Sequence, residues 1–483
     1  MAMPSRLQVL SPSEVEAIQS ASHRLLATTG VKVPHADILD RLADAGAEVD
    51  RAQQRVRFQE GLVLDSVARA GKSYTLYGRD RQKQARFGQG YSNFLSSAGQ
   101  FAWVDPVAKT RREPTVADAV QAIHLGDALS EIDIVGSMAI PTDVPPGVRD
   151  VVVNALLVQH TTKPIAGWSF SGTTARYVLD ILAVAAGGGD ELARYPICEG
   201  FVEPISPLQF LPEGLAVLVE FVKAGLPVGF GPMVMAMATG PATLAGTLAL
   251  ENAEILAGVV IAQVLNPGLP VTYWGIPHII TPATGLISLG SAEQGMMAVA
   301  MTQIGKAYGF PVGINVGLTD AKIPDAQAGL EKGMTLLMGA LAGADIFGHM
   351  GIAGADQGAS LPQLVIDNEM AAYVRRITKG FEVSAETLAV EVVERVGIGG
   401  NFLAEPHTVA HFRREVMFPK LLDRCDWDTW LAGGGQDMLA RAAACVDGWV
   451  AGHQVKPLAE YQRREIETIV ADATARLARE RGG

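Results

Sequence analysis

From about residue 93 onward the chain repeats one pattern. A run of apolar, β-prone residues ends in Gly, Ser, Pro or a polar residue, and a longer stretch with helical spacing follows. The runs are Asn93–Ser97, Ile132–Met138, Pro164–Phe170, Pro196–Glu203, Leu226–Met235, Leu269–Ile276, Phe310–Leu318 and Ala344–Met350. They begin about every 30 to 43 residues, the size of a strand–helix unit. Helical spacing covers Thr115–Leu129, Val148–Thr161, Thr173–Ala186 and Ser291–Tyr308. Eight such units predict an α/β fold, a (β/α)8 TIM barrel. A doubly wound sheet is the alternative for the same alternation.

The flanks read differently. Residues 11–27 have a helical apolar face of Val15, Ile18, Leu25 and Leu26, with Ser11 or Ser13 as cap. Val31–Val33 reads as a strand, Ala36–Ala45 as a helix stopped by Gly46, and Arg55–Arg57, Tyr74–Tyr77 and Gln84–Phe87 as short strands. Residues 1–90 are therefore expected to form a small N-terminal α+β cap, and residues 91–380 the barrel with the active site. Residues 381–483 are expected to form a helical C-terminal extension, with helices over Ser384–Val396, Asp437–Trp449 and Leu458–Arg481. Pro362–Thr378 reads as a further helix.

Composition narrows the setting. Apolar residues make up 48% of the 483 and charged residues 19%, which fits a folded globular chain and not a disordered one. A net charge of −12 with no long basic stretch disfavours nucleic acid and anionic membrane as partners. Cys198, Cys425 and Cys445 form no Cys-x-x-Cys pair, so a reducing cytoplasm is the expected location. The opening Met1-Ala-Met-Pro-Ser-Arg-Leu7 lacks the charged-then-apolar pattern of a leader, and no uninterrupted apolar run of roughly 20 residues predicts a membrane span.

In barrels, ligands bind at the C-terminal ends of the strands. That rule selects Trp168, Phe201, Glu203, Tyr273, Trp274, His278, Asp320, Phe347 and His349 as candidate site residues. Aromatic rings are only 6% of the chain, so five of them at strand ends suggest a cage whose π faces attract a cation. Filling of the barrel top as plain core is the other reading of the same rings. His278 and His349 suit a carboxylate anchor or acid–base work. Asp320 lies in a polar loop, where it or Asp325 also suits a helix cap. Glu203 suits a counter-charge but precedes Pro204, as turn residues do. No residue is assigned as catalytic. No metal site is expected: His407 and His411 are the single His-x-x-x-His pair, in a stretch that reads as a helix start.

The segment Gly240-Pro-Ala-Thr-Leu-Ala-Gly-Thr-Leu-Ala-Leu-Glu-Asn-Ala-Glu254, continued to Gln263 and by Asn266-Pro-Gly-Leu-Pro-Val271, closely resembles the trimethylamine methyltransferase (MttB-like) family. Leu25-Leu-Ala-Thr-Thr-Gly-Val31, Pro324-Asp-Ala-Gln-Ala-Gly-Leu-Glu-Lys332, Asn401-Phe-Leu403, His407-Thr408 and His411-Phe-Arg413 extend the resemblance over most of the chain. The resemblance implies a (β/α)8 methyltransferase acting with a separate corrinoid protein, so the implied cofactor is a partner-borne cobalamin. Founding members carry pyrrolysine, which does not occur in this sequence. Its absence points to relatives that use quaternary amines, glycine betaine above all, with another methylated amine or a sulfonium compound as the alternative substrate. A barrel lyase or hydrolase using Glu203, His278, His349 and Asp320 is the first alternative, and a non-catalytic binding protein for methylated amines the second. A homo-oligomer is compatible with all three.

Overall fold

The computed structural model describes residues 7–480. The residues before Leu7, read above as lacking a leader, and Arg481 at the end of the last expected helix lie outside the described residues. The centre is a curled parallel sheet. Its main ladder runs, in spatial order, Gly200–Val202, Val228–Phe230, Val271–Gly275, Val312–Ile314, Ile346–Met350 and Asn93–Ser96. Every neighbouring pair in it is parallel. Val135–Gly136 and Ile165–Ala166 form a second parallel pair. Two links join this pair to the ends of the ladder. Leu95 bridges Ile134, and the Ile165 amide donates to the Ile197 carbonyl at 2.9 Å.

Each strand leads into a helix that packs outside the sheet, from Val116–Ala128 after the first to Leu361–Lys379 after the last. Parallel strands need such crossovers. Strands covered on both faces are apolar throughout, which is why their sequences read as near-continuous runs. The expected strands Ile132–Met138 and Pro164–Phe170 are mostly irregular, and only Val135–Gly136 and Ile165–Ala166 pair regularly. Side chains supply hydrogen bonds there instead: Ser96 Oγ accepts from Gly136 N at 2.9 Å, and Ser137 Oγ donates to Ala98 O at 2.8 Å.

The helix Leu244–Leu265 is long and apolar enough to cross a membrane, yet 89% of its apolar stretch is buried inside the protein. It is a core helix. Its polar residues are tied to neighbours: Asn252 donates to Ser22 Oγ at 2.8 Å, and Glu254 accepts from Ser206 Oγ at 2.7 Å and Leu208 N at 2.6 Å. Gly258 lets the helix lie on the Phe230 ring, because a Cβ there would come within 2.4 Å of the ring.

The N-terminal helix Pro12–Thr28 carries the Ser11–Glu14 capping box. Beyond it, an antiparallel hairpin pairs Tyr74–Tyr77 with Gln84–Phe87. The hairpin closes the end of the sheet where the parallel strands begin: Asn93 Nδ2 donates to Arg86 O, and Gly88 N to Asp345 Oδ1. At the other terminus, Met438–Gly452 packs on Leu361–Lys379, and Glu460–Glu480 on Gly172–Ala186. The single helix expected over Ser384–Val396 is split into Ala385–Leu388 and Val390–Val396 at Ala389, whose φ is +51°. Neither piece buries a residue, so no packing holds one continuous helix there.

Candidate functional site

Alternation along the strands decides which side chains meet. In Val271–Gly275, Trp274 faces the inside of the curl and Tyr273 the helix layer. The Tyr273 hydroxyl donates to Asn252 Oδ1 at 2.9 Å and its ring stacks near Phe310. Tyr273 and Trp274 therefore do not share a pocket, which corrects the expectation of one mouth for both. Phe347 likewise faces outward, stacked on Phe94 at 5.2 Å, while Ile346 points in. The ladder shifts register between Phe347 and Met350, and His349 has φ +67°; this irregularity brings His349 inward as well.

The result is a cavity of about 70 Å³ inside the curl, lined by Trp168, Phe201, Trp274, Glu199, Asn315 and His349, with aliphatic residues such as Leu76. A water molecule needs about 10–15 Å³ on this measure, so the space suits a small organic headgroup. Trp168 meets Phe201 edge to face at 5.5 Å and 83°, and Phe201 meets Trp274 at 5.7 Å and 88°. The Trp274 indole lies across Gly229 and Gly313 of the flanking strands, where a Cβ would sit 2.6 and 2.3 Å from it. Any other residue at either glycine would displace the ring.

Glu199 was not among the expected residues. It precedes Phe201 by two, so strand alternation puts both on the inner face. Its carboxylate accepts from Tyr74 Oη at 2.6 Å, Thr272 Oγ1 at 2.8 Å and Trp274 Nε1 at 3.0 Å. It is partly exposed along the cavity, and burial raises its pKa against the pull of those three donors. Glu199 is thus a fixed carboxylate beside an aromatic wall.

Glu203, two residues beyond Phe201, is half-buried. Burial first, and then nearby Asp356, push its carboxyl up to about 7. A folded-state pKa above the ordinary 4.5 stabilises the fold at low pH, and that contribution is lost as pH rises through about 7. Glu203→Gln is therefore expected to raise the melting temperature at pH 8, by on the order of 1–3 kcal/mol in stability, and to change it little at pH 5. Equal shifts at both pH values would refute this origin of the shift.

Near the C-terminal ends of the strands lie several buried polar atoms with no hydrogen-bond partner among the described residues: both nitrogens of His278, His349 Nδ1, Asn315 Oδ1 and Gln294 Oε1. Burial, and then the charge of His349, lower His278 to about 3. Burial also lowers His349, against the opposing field of Asp356. Asp356 in turn accepts from Gln100 Nε2 at 2.6 Å. The imidazole of His349 and the amide of Asn315 thus line the cavity with free hydrogen-bonding capacity, and His278 is fully buried near His349. Asp320 is elsewhere. Its carboxylate accepts from Ser288 Oγ at 2.5 Å and Leu289 N at 2.8 Å, pinning its loop to the end of the short strand Ile287–Ser288. Asp325, not Asp320, caps the helix Ala326–Ala342. His407 and His411 lie stacked on the helix Pro406–Glu415, and no group of three or more His, Cys, Asp or Glu among the described residues is placed to hold a metal.

A crystal structure of the Methanosarcina barkeri monomethylamine methyltransferase (MtmB) is similar in fold, with a TM-score of 0.52 and 12% identity, covering 98% of this chain and 95% of that one. The family described as trimethylamine methyltransferase (MTTB) matches residues 2–478. Among relatives, the trimethylamine methyltransferase MttB of Desulfitobacterium hafniense is 32% identical, covering 96% of this chain and 93% of that protein. The MttB of Methanosarcina barkeri is also 32% identical, over 97% and 95%. A glycine betaine methyltransferase of Desulfitobacterium hafniense is 30% identical, over 88% of each. The protein is accordingly a methyl-transfer enzyme. Its chain belongs to the trimethylamine methyltransferase (MTTB) family.

Proposed function

We propose that this enzyme takes a methyl group from a quaternary amine, glycine betaine above all, for delivery to the corrinoid of a separate protein. In the same reading the curled sheet is a closed (β/α)8 barrel in the cytoplasm, framed by a cap over residues 1–90 and an extension over 381–483. The observation that carries the proposal is Glu199 held by three donors beside Trp168, Phe201 and Trp274. A carboxylate and aromatic faces together attract a permanent cation that has no N–H to donate. A neutral amine would leave as an anion after losing a methyl. A quaternary ammonium leaves as a neutral tertiary amine, since the N–C electron pair stays on nitrogen, and no proton is required.

The residues present fit that chemistry. Glu199 and the rings hold and desolvate the cation, and a fixed orientation of the N–CH3 bond supplies much of the rate. His349, which lines the cavity, offers a neutral imidazole N–H as donor for a carboxylate. The corrinoid, when docked, supplies the nucleophile for the methyl carbon. Exposed Phe101, Phe170, Met237 and Leu286, each following the C-terminal end of a strand, give an apolar rim suited to a large flat macrocycle.

The direct test mixes the purified enzyme with a reduced corrinoid protein and follows loss of the Co(I) absorption as amines are added. Glycine betaine is expected to drive it fastest. No loss with any quaternary amine, despite tight amine binding, would leave a binding protein instead. His349→Gln is expected to weaken glycine betaine by roughly 10- to 150-fold, in line with about 1.5–3 kcal/mol for a hydrogen bond to a charged group. Choline, which lacks the carboxylate, should be nearly unaffected, and the maximal rate should stay within about tenfold. Equal losses for both ligands would refute the anchoring role.

A further inference from the structure

The hairpin of Tyr74–Tyr77 and Gln84–Phe87 is tied by its backbone to the two strands that build the aromatic wall. Gly71 N donates to Leu269 O and Val271 N to Gly71 O, both at 3.2 Å, at the start of Val271–Gly275. Tyr77 N donates to Pro196 O at 2.7 Å, shortly before Gly200–Val202. Between these anchors the inner face of the hairpin presents Tyr74 and Leu76, which are buried while Thr75 and Tyr77 are less so. Leu76 lines the cavity itself. The Tyr74 ring stacks on Phe87, its cross-strand partner, at 4.5 Å and 9°. Held in that way, its hydroxyl reaches Glu199 Oε2 at 2.6 Å. Filling this end of the sheet takes only the ring, which Phe would supply as well; the hydroxyl serves the carboxylate.

Resting on the reading of Glu199 as the counter-charge of a quaternary amine, we propose that Tyr74 is a positioning residue of that site: its phenol, carried in by the N-terminal hairpin, fixes the Glu199 carboxylate and holds it in the ionised form that a permanent cation needs. Tyr74 Oη, Thr272 Oγ1 and Trp274 Nε1 all donate to this carboxylate. The indole can only donate. Among these neighbours a protonated Glu199 has only the two hydroxyls to donate to, and the one that accepts must turn its own proton away. Tyr74 and Thr272 stand 2.6 Å apart, so one can then donate to the other. The ionised form keeps all three bonds, and each donor removed favours the protonated form. Tyr74 stays a donor, because burial and then Glu199 push its phenol well above its ordinary value. The other titratable groups nearby do not replace it. Burial and then Glu199 push Cys198 up to about 12, so it stays a neutral thiol. Burial lowers His349, which also lines the cavity. Asp345, whose charge reaches Tyr74, is paired with Lys306, and Glu203 stands near Asp356.

The test is calorimetric titration of the full-length protein with tetramethylammonium across the pH range in which it stays folded. This probe carries the permanent charge and no carboxylate, so it reads the cation site whichever amine is the substrate. Wild-type affinity is expected to fall below a midpoint set by the ionisation of Glu199, and Glu199→Gln to bind weakly with no midpoint. Removing a donor raises the pKa of a carboxyl. Tyr74→Phe should therefore move the midpoint up by about one to two pH units, the equivalent of one lost hydrogen bond to a charged group. Well above both midpoints its affinity should be nearly that of the wild type, which a merely structural role would not predict. Phe87→Leu keeps the phenol and removes the ring that holds it; it should move the midpoint the same way by less, and it decides if Tyr74→Phe does not fold. An unmoved midpoint in the folded variants, or an equal loss of affinity at every pH, overturns the proposal. If Glu199→Gln still binds weakly without a midpoint, the counter-charge reading survives that failure. A wild type without a midpoint, matched in affinity by Glu199→Gln, overturns both.

Discussion

Glu199→Gln is expected to lower the affinity for glycine betaine by roughly 10- to 30-fold, with the protein still folded. Opposite unit charges about 4 Å apart are worth about 4 kcal/mol at an effective dielectric of 20. Burial raises the pKa of Glu199, so keeping it ionised offsets part of that. A 10- to 30-fold change corresponds to about 1.4–2 kcal/mol. The variant keeps the shape and can still accept from Tyr74 or Thr272, so packing is preserved. The pH dependence separates charge from shape. A cation favours the ionised carboxylate, so wild-type affinity should fall as pH drops below the raised pKa of Glu199, while the variant should lack that dependence. Calorimetric titration at several pH values measures both. An unchanged affinity at every pH would remove Glu199 from the site.

Trp274→Leu should be the next most damaging change. It removes one face of the aromatic wall, worth roughly 1–2 kcal/mol to a desolvated cation. It also leaves a void over Gly229 and Gly313, costing on the order of 3 kcal/mol of stability. Trp168→Leu should lose a similar amount of affinity with less loss of stability, because Trp168 is half-buried. Tyr273→Phe is the control. It loses a hydrogen bond to Asn252, about 1 kcal/mol of stability, and should leave affinity unchanged. The measurements are amine affinity and thermal melting for all three variants. If Tyr273→Phe weakens binding as much as Trp274→Leu does, the orientation derived from strand alternation does not govern the site.

The alternation of strands and helices was legible because the strands are largely apolar and many of the helices are punctuated by caps or glycines. Arg55–Arg57, Tyr74–Tyr77 and Gln84–Phe87 have the expected bounds, since their burial alternates with a period of two. Less legible was which way residues at strand ends point. Choosing Tyr273 with Trp274, adjacent in one strand, ignored that neighbours face opposite sides. The same rule, stepped back from Phe201, finds Glu199. His349 is the converse case: its inward turn depends on a bulge and a positive φ that no residue pattern announces. The glycines of the inner strands were a usable signal left unread, since Gly229 and Gly313 are what give Trp274 its room. The disposition of Asp320 was hidden because its partner, Ser288, lies in a short strand 32 residues earlier in the chain.

The pairing of Ile346–Met350 with Asn93–Ser96 has a consequence for how the enzyme comes into being. The two strands are separated by about half of the chain, so closing them is among the costliest steps in loop entropy and belongs late in folding. During synthesis at about 5–20 residues per second, Asn93–Ser96 waits some tens of seconds for its neighbour. Until then an apolar strand edge stands open, ready to pair with another chain. Cells making this protein quickly should accumulate aggregates from nascent or truncated chains, and slower synthesis at lower temperature should raise the soluble yield more than any change to the finished surface.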